Sequence, residues 1–253
     1  MTIKKLESFF IQEKPFTLKE AANALSLSHP ETSKVLYNLK KQGHVFPLKR
    51  GIFFPVSHKA LSPQESLGDP WIIVPLLFPK AYVGGWSAAN YWGLTEQLFR
   101  TTSLMTVDKI SHSDLKINRF EYSLFKTKND TGKEKVWRDQ VPVFVSDIHK
   151  TIVDMLENPR CGAGIQHTID CFKNYMQEFY EEKILMSYAC TVKNGTFFKR
   201  LGYITEVLLG PHHPLCLLAK DFITKNYALI DSHMPCKKLI TKWNLYINEE
   251  LTL

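Results

Sequence analysis

Ser33, Lys34, Tyr37, Asn38 and Lys41 are spaced so that a helix turning about 100° per residue gathers them on one side. The chemistry they offer is recognition. Ammonium groups reach phosphates or guanine edges, and the hydroxyl and amide groups can hydrogen-bond base edges. A little further on, Lys49 and Arg50 stand together before Gly51. Such a charge pair suits a phosphate backbone or a minor groove.

Arrangements for catalysis are missing. The chain contains no G-x-S-x-G, Walker loop, G-x-G-x-x-G or H-E-x-x-H. Gly162-Ala163-Gly164 has no strand before it and reads as a turn. His212-His213, between Pro211 and Pro214, lacks a third metal ligand at sensible spacing. Asp147 and Asp154 would share a helix face, with Asp147 as a cap and Asp154 as an ion-pair or hydrogen-bond partner. Glu181-x-Lys183 could end a metal-dependent nuclease motif, yet its surroundings, Glu178-Phe179-Tyr180-Glu181-Glu182-Lys183, look helical. No catalytic residue, no metal and no cofactor are therefore expected, and the chain reads as a non-enzyme.

The elements that would carry the recognition residues are legible. Ile3–Gln12 reads as a first helix, with Ile3, Leu6, Phe9 and Phe10 on one face. Thr17 opens a capping box with Glu20, and the helix Leu18–Leu25 buries Leu18, Ala21, Ala22 and Leu25. Ser28 opens a second box with Glu31, and Pro30 falls in the first turn, where a missing N–H costs nothing. That helix runs to Gln42, with Val35, Leu36 and Leu39 inward, while Lys40 lies at the margin of the outer face. Residues 44–55 form two β-prone runs joined by Lys49-Arg50-Gly51. Two short helices, a polar third helix and a hairpin are the layout of a winged helix-turn-helix, whose third helix enters the major groove. Winged helices also serve as protein-interaction modules; the polar, basic face favours double-stranded DNA.

Charge placement agrees. The formal net charge is +7, and residues 1–58 hold nine Lys/Arg against four Asp/Glu, while the remaining residues are nearly balanced. A second run of cations, Lys109, Lys116, Arg119, Lys126, Lys128, Lys133, Lys135 and Arg138, has two readings: solvated loops, or a face for an acidic partner or flanking DNA. Five cysteines without C-x-x-C spacing predict reduced thiols in a cytoplasmic protein. Lys4, Lys5 and Glu7 interrupt any signal peptide, and no apolar stretch would span a membrane.

The fold class expected is α+β: an N-terminal winged helix-turn-helix, then a mixed α/β region and a mostly helical C-terminal part. The domains would be 1–58, a turn-rich linker at 59–70, and 71–253, mixed over 71–150 and mostly helical over 151–253. In the mixed part, Trp71–Phe78 is an apolar run. Ser87 would cap a short helix after Gly84-Gly85, and 101–107, 120–126 and 141–145 read as strands. Helices follow at 146–156 (Ile148, Ile152, Met155 and Leu156 inward), 165–180, 183–192 and 197–209, and a last strand at 243–247.

Five motifs in order carry a resemblance. They are Arg50-Gly51-Ile52-Phe53-Phe54-Pro55, Tyr82-Val83-Gly84-Gly85-Trp86-Ser87-Ala88-Ala89-Asn90-Tyr91-Trp92-Gly93-Leu94, and Ser146-Asp147 through Thr151-Ile152-Val153-Asp154. Then come Lys199-Arg200-Leu201-Gly202-Tyr203 through Glu206, and Lys242-Trp243-Asn244-Leu245 through Asn248. On these the chain resembles the AbiEi-like antitoxins of bacterial type IV toxin–antitoxin systems. Phe54 replaces the usual Tyr-type aromatic, and 161–198 matches poorly. The resemblance implies a winged helix that binds an inverted-repeat operator and represses its own operon. The rest of the chain would counteract a nucleotidyltransferase-class toxin, with or without a stable complex. Two other functions fit the residues: a ligand-sensing winged-helix transcription factor without a toxin partner, and, more remotely, a metal-dependent nuclease.

Overall fold

The computed structural model describes residues 2–11, 13–56, 68–235 and 237–248. It is α+β, and the described residues divide into two compact units. One holds 1–83, 100–126 and 134–145; the other holds 84–99, 127–133 and 146–253. Of the linker expected at 59–70, residues 59–67 lie outside the described residues.

The first unit opens with α1 (Thr2–Lys5) and α2 (Glu7–Ile11) in place of the single helix expected. The helix breaks at Leu6, which is fully buried, and the Phe9 N–H bonds the Leu6 carbonyl at 3.0 Å, three residues back instead of four. Then follow β1 (Phe16–Thr17), α3 (Leu18–Leu25), α4 (His29–Lys41), β2 (Val45–Lys49) and β3 (Ile52–Pro55). The strands make a small sheet in the order β1-β3-β2. Leu6, Phe16, Ala21, Leu25, Leu36, Leu39 and Val45 form one core beneath them. Phe9 stacks on Phe16 at 4.8 Å. Thr32, not expected inside, is fully buried because its Oγ1 donates to the Ser28 carbonyl at 2.9 Å.

After a 3₁₀ turn at Pro70–Ile73, α5 (Val74–Leu77) leads into a six-stranded sheet. Its strands are β4 (Ala81–Val83), β5 (Thr101–Thr106), β6 (Asp114–Ile117), β7 (Phe120–Lys126), β8 (Lys133–Arg138) and β9 (Val141–Ser146). The spatial order is β6-β7-β5-β4-β9-β8, with β5 parallel to β7 and β4 parallel to β9. Strands β6 and β8 occupy stretches read as loops from sequence. Tyr122 anchors the sheet to the 3₁₀ turn: its hydroxyl donates to the Pro70 carbonyl at 2.7 Å.

The second unit begins with α6 (Gly85–Tyr91). Ser87 does not cap it; Gly84 is the cap residue, and Ser87 lies inside the helix. Gly85 decides the start. It has φ +54°, and a Cβ there would lie 2.0 Å from the Cys161 carbonyl oxygen, so only glycine fits. Next come α7 (Ile148–Glu157), α8 (Ile165–Glu178), α9 (Glu182–Ala189), α10 (Gly195–Leu209) and α11 (Pro214–Phe222). Helix α7 packs against α6, α8, α9 and α10. It buries His149 through Leu156 in succession, where sequence predicted one apolar face, and Ile148 is only half-buried. The buried polar groups on it are all bonded. His149 Nδ1 pairs with the Tyr175 hydroxyl at 2.7 Å, Thr151 Oγ1 donates to the Asp147 carbonyl at 2.8 Å, and Lys150 pairs with Asp154. Asp147 caps the helix, accepting from the Lys150 N–H at 2.8 Å.

A small sheet closes the unit: β10 (Ala228–Leu229), β11 (Lys238–Ile240) and β12 (Leu245–Ile247), in the order β10-β12-β11. The strand expected at 243–247 starts later, because Thr241–Trp243 is a 3₁₀ turn ended by Asn244 at φ +49°. Cys161, Cys171, Cys190 and Cys216 are free thiols. Among the described residues no helix is long and apolar enough to cross a membrane.

Candidate nucleic-acid interface

Helix α3 is held at its start by both halves of a capping box. The Glu20 N–H donates to Thr17 Oγ1 at 3.1 Å, and the Thr17 N–H donates to Glu20 Oε2 at 2.7 Å. It ends at Ser26, in a left-handed conformation at φ +57°, which turns the chain sharply. Glu31 then receives the Ser28 N–H at 3.0 Å and the Ser28 hydroxyl, and these bonds hold its carboxyl below the ordinary value. The start of helix α4 is thus fixed by local bonding.

Burial of Thr32, Leu36 and Leu39 leaves Ser33, Lys34, Tyr37, Asn38 and Lys41 on the outside, all exposed. Tyr37 is 56% exposed, unusual for so large a ring. The Lys41 ammonium sits 4.7 Å from its centroid, so the ring offers a flat, cation-bearing surface. Lys40, placed at the margin by sequence, is exposed as well.

The hairpin tip is Arg50-Gly51, with Lys49 opposite Ile52. Gly51 has φ +77°, the left-handed value a tight turn takes at a glycine. A register shift between Pro47 and Lys49 tucks Leu48 inward and leaves Lys49 exposed. The tip is not loose: the Leu18 N–H donates to the Gly51 carbonyl at 2.8 Å, and Thr17 of β1 pairs with Ile52 of β3. One backbone bond therefore joins the basic tip to the first residue of α3. It also places Lys19, exposed and one residue along, next to the tip. Sequence reading missed Lys19, because the Leu18–Gly51 pairing is non-local.

The structure thus assembles Ser33, Lys34, Tyr37, Asn38 and Lys41 on one helix face, and Lys49 and Arg50 on a tip anchored to the same small core. The second run of cations fares differently. Arg138 pairs with Asp69 at 2.6 Å and lies 4.9 Å from the Trp71 ring centroid. Lys116 and Arg100 share Glu121, and Lys133 pairs with Asp130 at 2.8 Å. Lys126 donates to the carbonyls of Val107 and Asp108. Much of that charge is spent within the chain.

The remaining chemistry-bearing candidates have architectural partners. Glu181 and Lys183 stand at the start of α9, not on a strand. His213 caps α11, its Nδ1 accepting the Leu215 N–H at 3.3 Å, and burial lowers its pKa against a smaller opposing pull from Glu182. Among the described residues no group of three or more His, Cys, Asp or Glu is placed to hold a metal. The motifs that carry the resemblance interlock. Trp92 Nε1 donates to the Ser146 carbonyl at 2.7 Å, and the Tyr188 hydroxyl donates to Asp147 Oδ2 at 2.5 Å. Arg200 is buried and donates to the carbonyls of Ile230 (2.7 Å), Glu157 (2.9 Å), Leu156 (3.1 Å) and Leu229 (3.3 Å). Lys199 donates to the Asn226 carbonyl. Gly202 lies flat against Trp243, whose Nε1 donates to Glu206 Oε2 at 2.5 Å.

No protein-family model matches the chain, and no curated protein matches it. Among solved structures, the RV2827C protein from Mycobacterium tuberculosis is similar, with a TM-score of 0.66 at 10% identity, over 99% of this chain and 92% of that one. At that identity the likeness is one of fold, and it runs through nearly the whole of both chains.

Proposed function

We propose that the amino-terminal module binds double-stranded DNA and that the protein is the antitoxin and autorepressor of a type IV toxin–antitoxin operon, opposing a nucleotidyltransferase-class toxin. The observation that carries the DNA reading is the pairing of an exposed polar face on α4 with a basic hairpin tip bonded to α3. The face offers Ser33 and Asn38 to base edges, while Lys34, Lys41, Lys49 and Arg50 meet phosphates. The antitoxin half rests on the five ordered motifs. Trp92, Ser146, Arg200, Glu206 and Trp243 from the last four motifs are internal ties of the second unit, which suits a body that acts through its surface.

Co-expression with the adjacent reading frame, with growth as readout, tests the proposal. The neighbour alone should arrest growth, and this protein should restore it. A variant lacking the charges of Lys34, Lys41, Lys49 and Arg50 then asks whether rescue needs DNA binding. A harmless neighbour, or growth that stays arrested, removes the antitoxin half. Failure of the intact protein to shift operator DNA in a gel would remove the other.

A further inference from the structure

A cavity of about 220 Å³ in the second unit is lined by Lys128, Asn129, Lys150, Glu157, Thr191 and Lys193. Three lysines therefore line one small space. Lys150 is 3% exposed and held by Asp154, itself 1% exposed, so that pair is neutral as a unit and fixed in place. Lys128 and Lys193 are exposed and have neither an ion pair nor a hydrogen bond among the described residues. Glu157 is the single carboxylate on the wall. Two unpaired cations against one carboxylate leave a surplus positive charge, and partial enclosure strengthens its pull on an anion.

The walls are built before any ligand arrives. Asn129 Nδ2 donates to Thr191 Oγ1 at 3.1 Å, and Thr191 Oγ1 donates to the Tyr188 carbonyl at 2.7 Å. The Asp147 N–H donates to the Gly132 carbonyl at 3.0 Å. Gly132 is pressed on the Tyr188 ring so closely that a Cβ would meet it at 2.8 Å. Segment 127–133 and the end of α9 are thus tied together, which lowers the ordering cost of binding.

We propose that this cavity binds free inorganic phosphate, which keeps at least one proton at neutral pH. The volume holds a tetrahedral oxyanion and a few waters. Lys128 and Lys193 close on its oxygens from the rim, and Glu157 accepts a hydrogen bond from the hydroxyl of the singly protonated phosphate. That last interaction separates phosphate from sulfate, which carries no proton at neutral pH and would face Glu157 with acceptors only. This inference stands apart from the DNA and antitoxin readings, and either could fail without the other.

The test is isothermal titration of the full-length protein with inorganic phosphate at pH 7 and low ionic strength. One saturable site is expected, with sulfate at least about tenfold weaker. Lys128→Gln with Lys193→Gln should weaken phosphate by about tenfold or more at an unchanged melting temperature, since both side chains are exposed. Glu157→Gln should erase the preference over sulfate. A nucleoside monophosphate, mostly unprotonated at pH 7, should compete as weakly as sulfate; competition on a par with phosphate would overturn the role given to Glu157. No saturable phosphate binding, equal affinity for sulfate, or an unaffected double variant would overturn the proposal.

Discussion

Arg200 and Gly202, two residues apart in α10, show how single side chains hold the second unit. Four carbonyl oxygens from two other segments converge on the Arg200 guanidinium, a task for a planar fork of donors that a lysine could not repeat. Gly202 has the opposite role. A Cβ there would lie 2.1 Å from Trp243 Cζ3, so Gly202→Ala should destabilise the protein by about 1–3 kcal/mol, read from urea unfolding followed by tryptophan fluorescence. An unchanged midpoint would mean that Trp243 is free to shift. Beside them, burial pushes the Glu206 carboxyl up, but the bonds from Lys242 and Trp243 and the Lys242 charge outweigh it and hold the group below its ordinary 4.5. A lowered carboxyl pKa stabilises the folded state above the unfolded value, and that contribution is lost as pH falls through the folded one. The melting temperature should therefore drop on acidification below about pH 4.5, and Glu206→Gln should flatten that part of the profile. Equal acid sensitivity in the two proteins would assign the loss to other carboxylates.

Among elements, the hairpin lends itself most directly to experiment. Lys49→Ala with Arg50→Ala should weaken binding to all DNA sequences alike. It should also reduce the slope of log affinity against log salt by about 0.9 for each phosphate no longer neutralised. A change confined to one operator would instead mean that the tip reads bases. This hairpin and the two capped helices were legible in the sequence because their signals are local: T-x-x-E, S-x-x-E and a glycine after two cations. Strands β6 and β8 were not. Both are outermost in their sheet, and polar sequences such as Asp114-Leu115-Lys116-Ile117 are what an edge strand carries to deter further pairing. The two- and three-residue strands β10, β11 and β12 are too short for any periodicity to register. On the candidate interface, every residue chosen from helical spacing is on the exposed face. Lys19 escaped because only the backbone bond from Leu18 to Gly51 brings it near the tip.

At the scale of the whole molecule, the chain passes back and forth between its two units, so neither is one continuous stretch. Residues 146–253 lack α6, whose Gly85 nests on the Cys161 carbonyl, and lack Gly132 against Tyr188. Expressed alone, that segment should melt without a sharp transition by circular dichroism; cooperative unfolding would show that those two packings are dispensable. The sheet has the same interrupted character, and this sets a schedule for synthesis. Strand β4 ends at Val83, while the strand it pairs with in parallel ends at Ser146. At roughly 5–20 residues per second, about 3–13 s separate their emergence from the ribosome. The core of residues 6–45 is short-range in sequence and can close at once. For those seconds the nascent chain is a completed amino-terminal module followed by a strand whose β9 edge stays open, even after β5 has covered the other edge, the kind of surface that holdase chaperones bind.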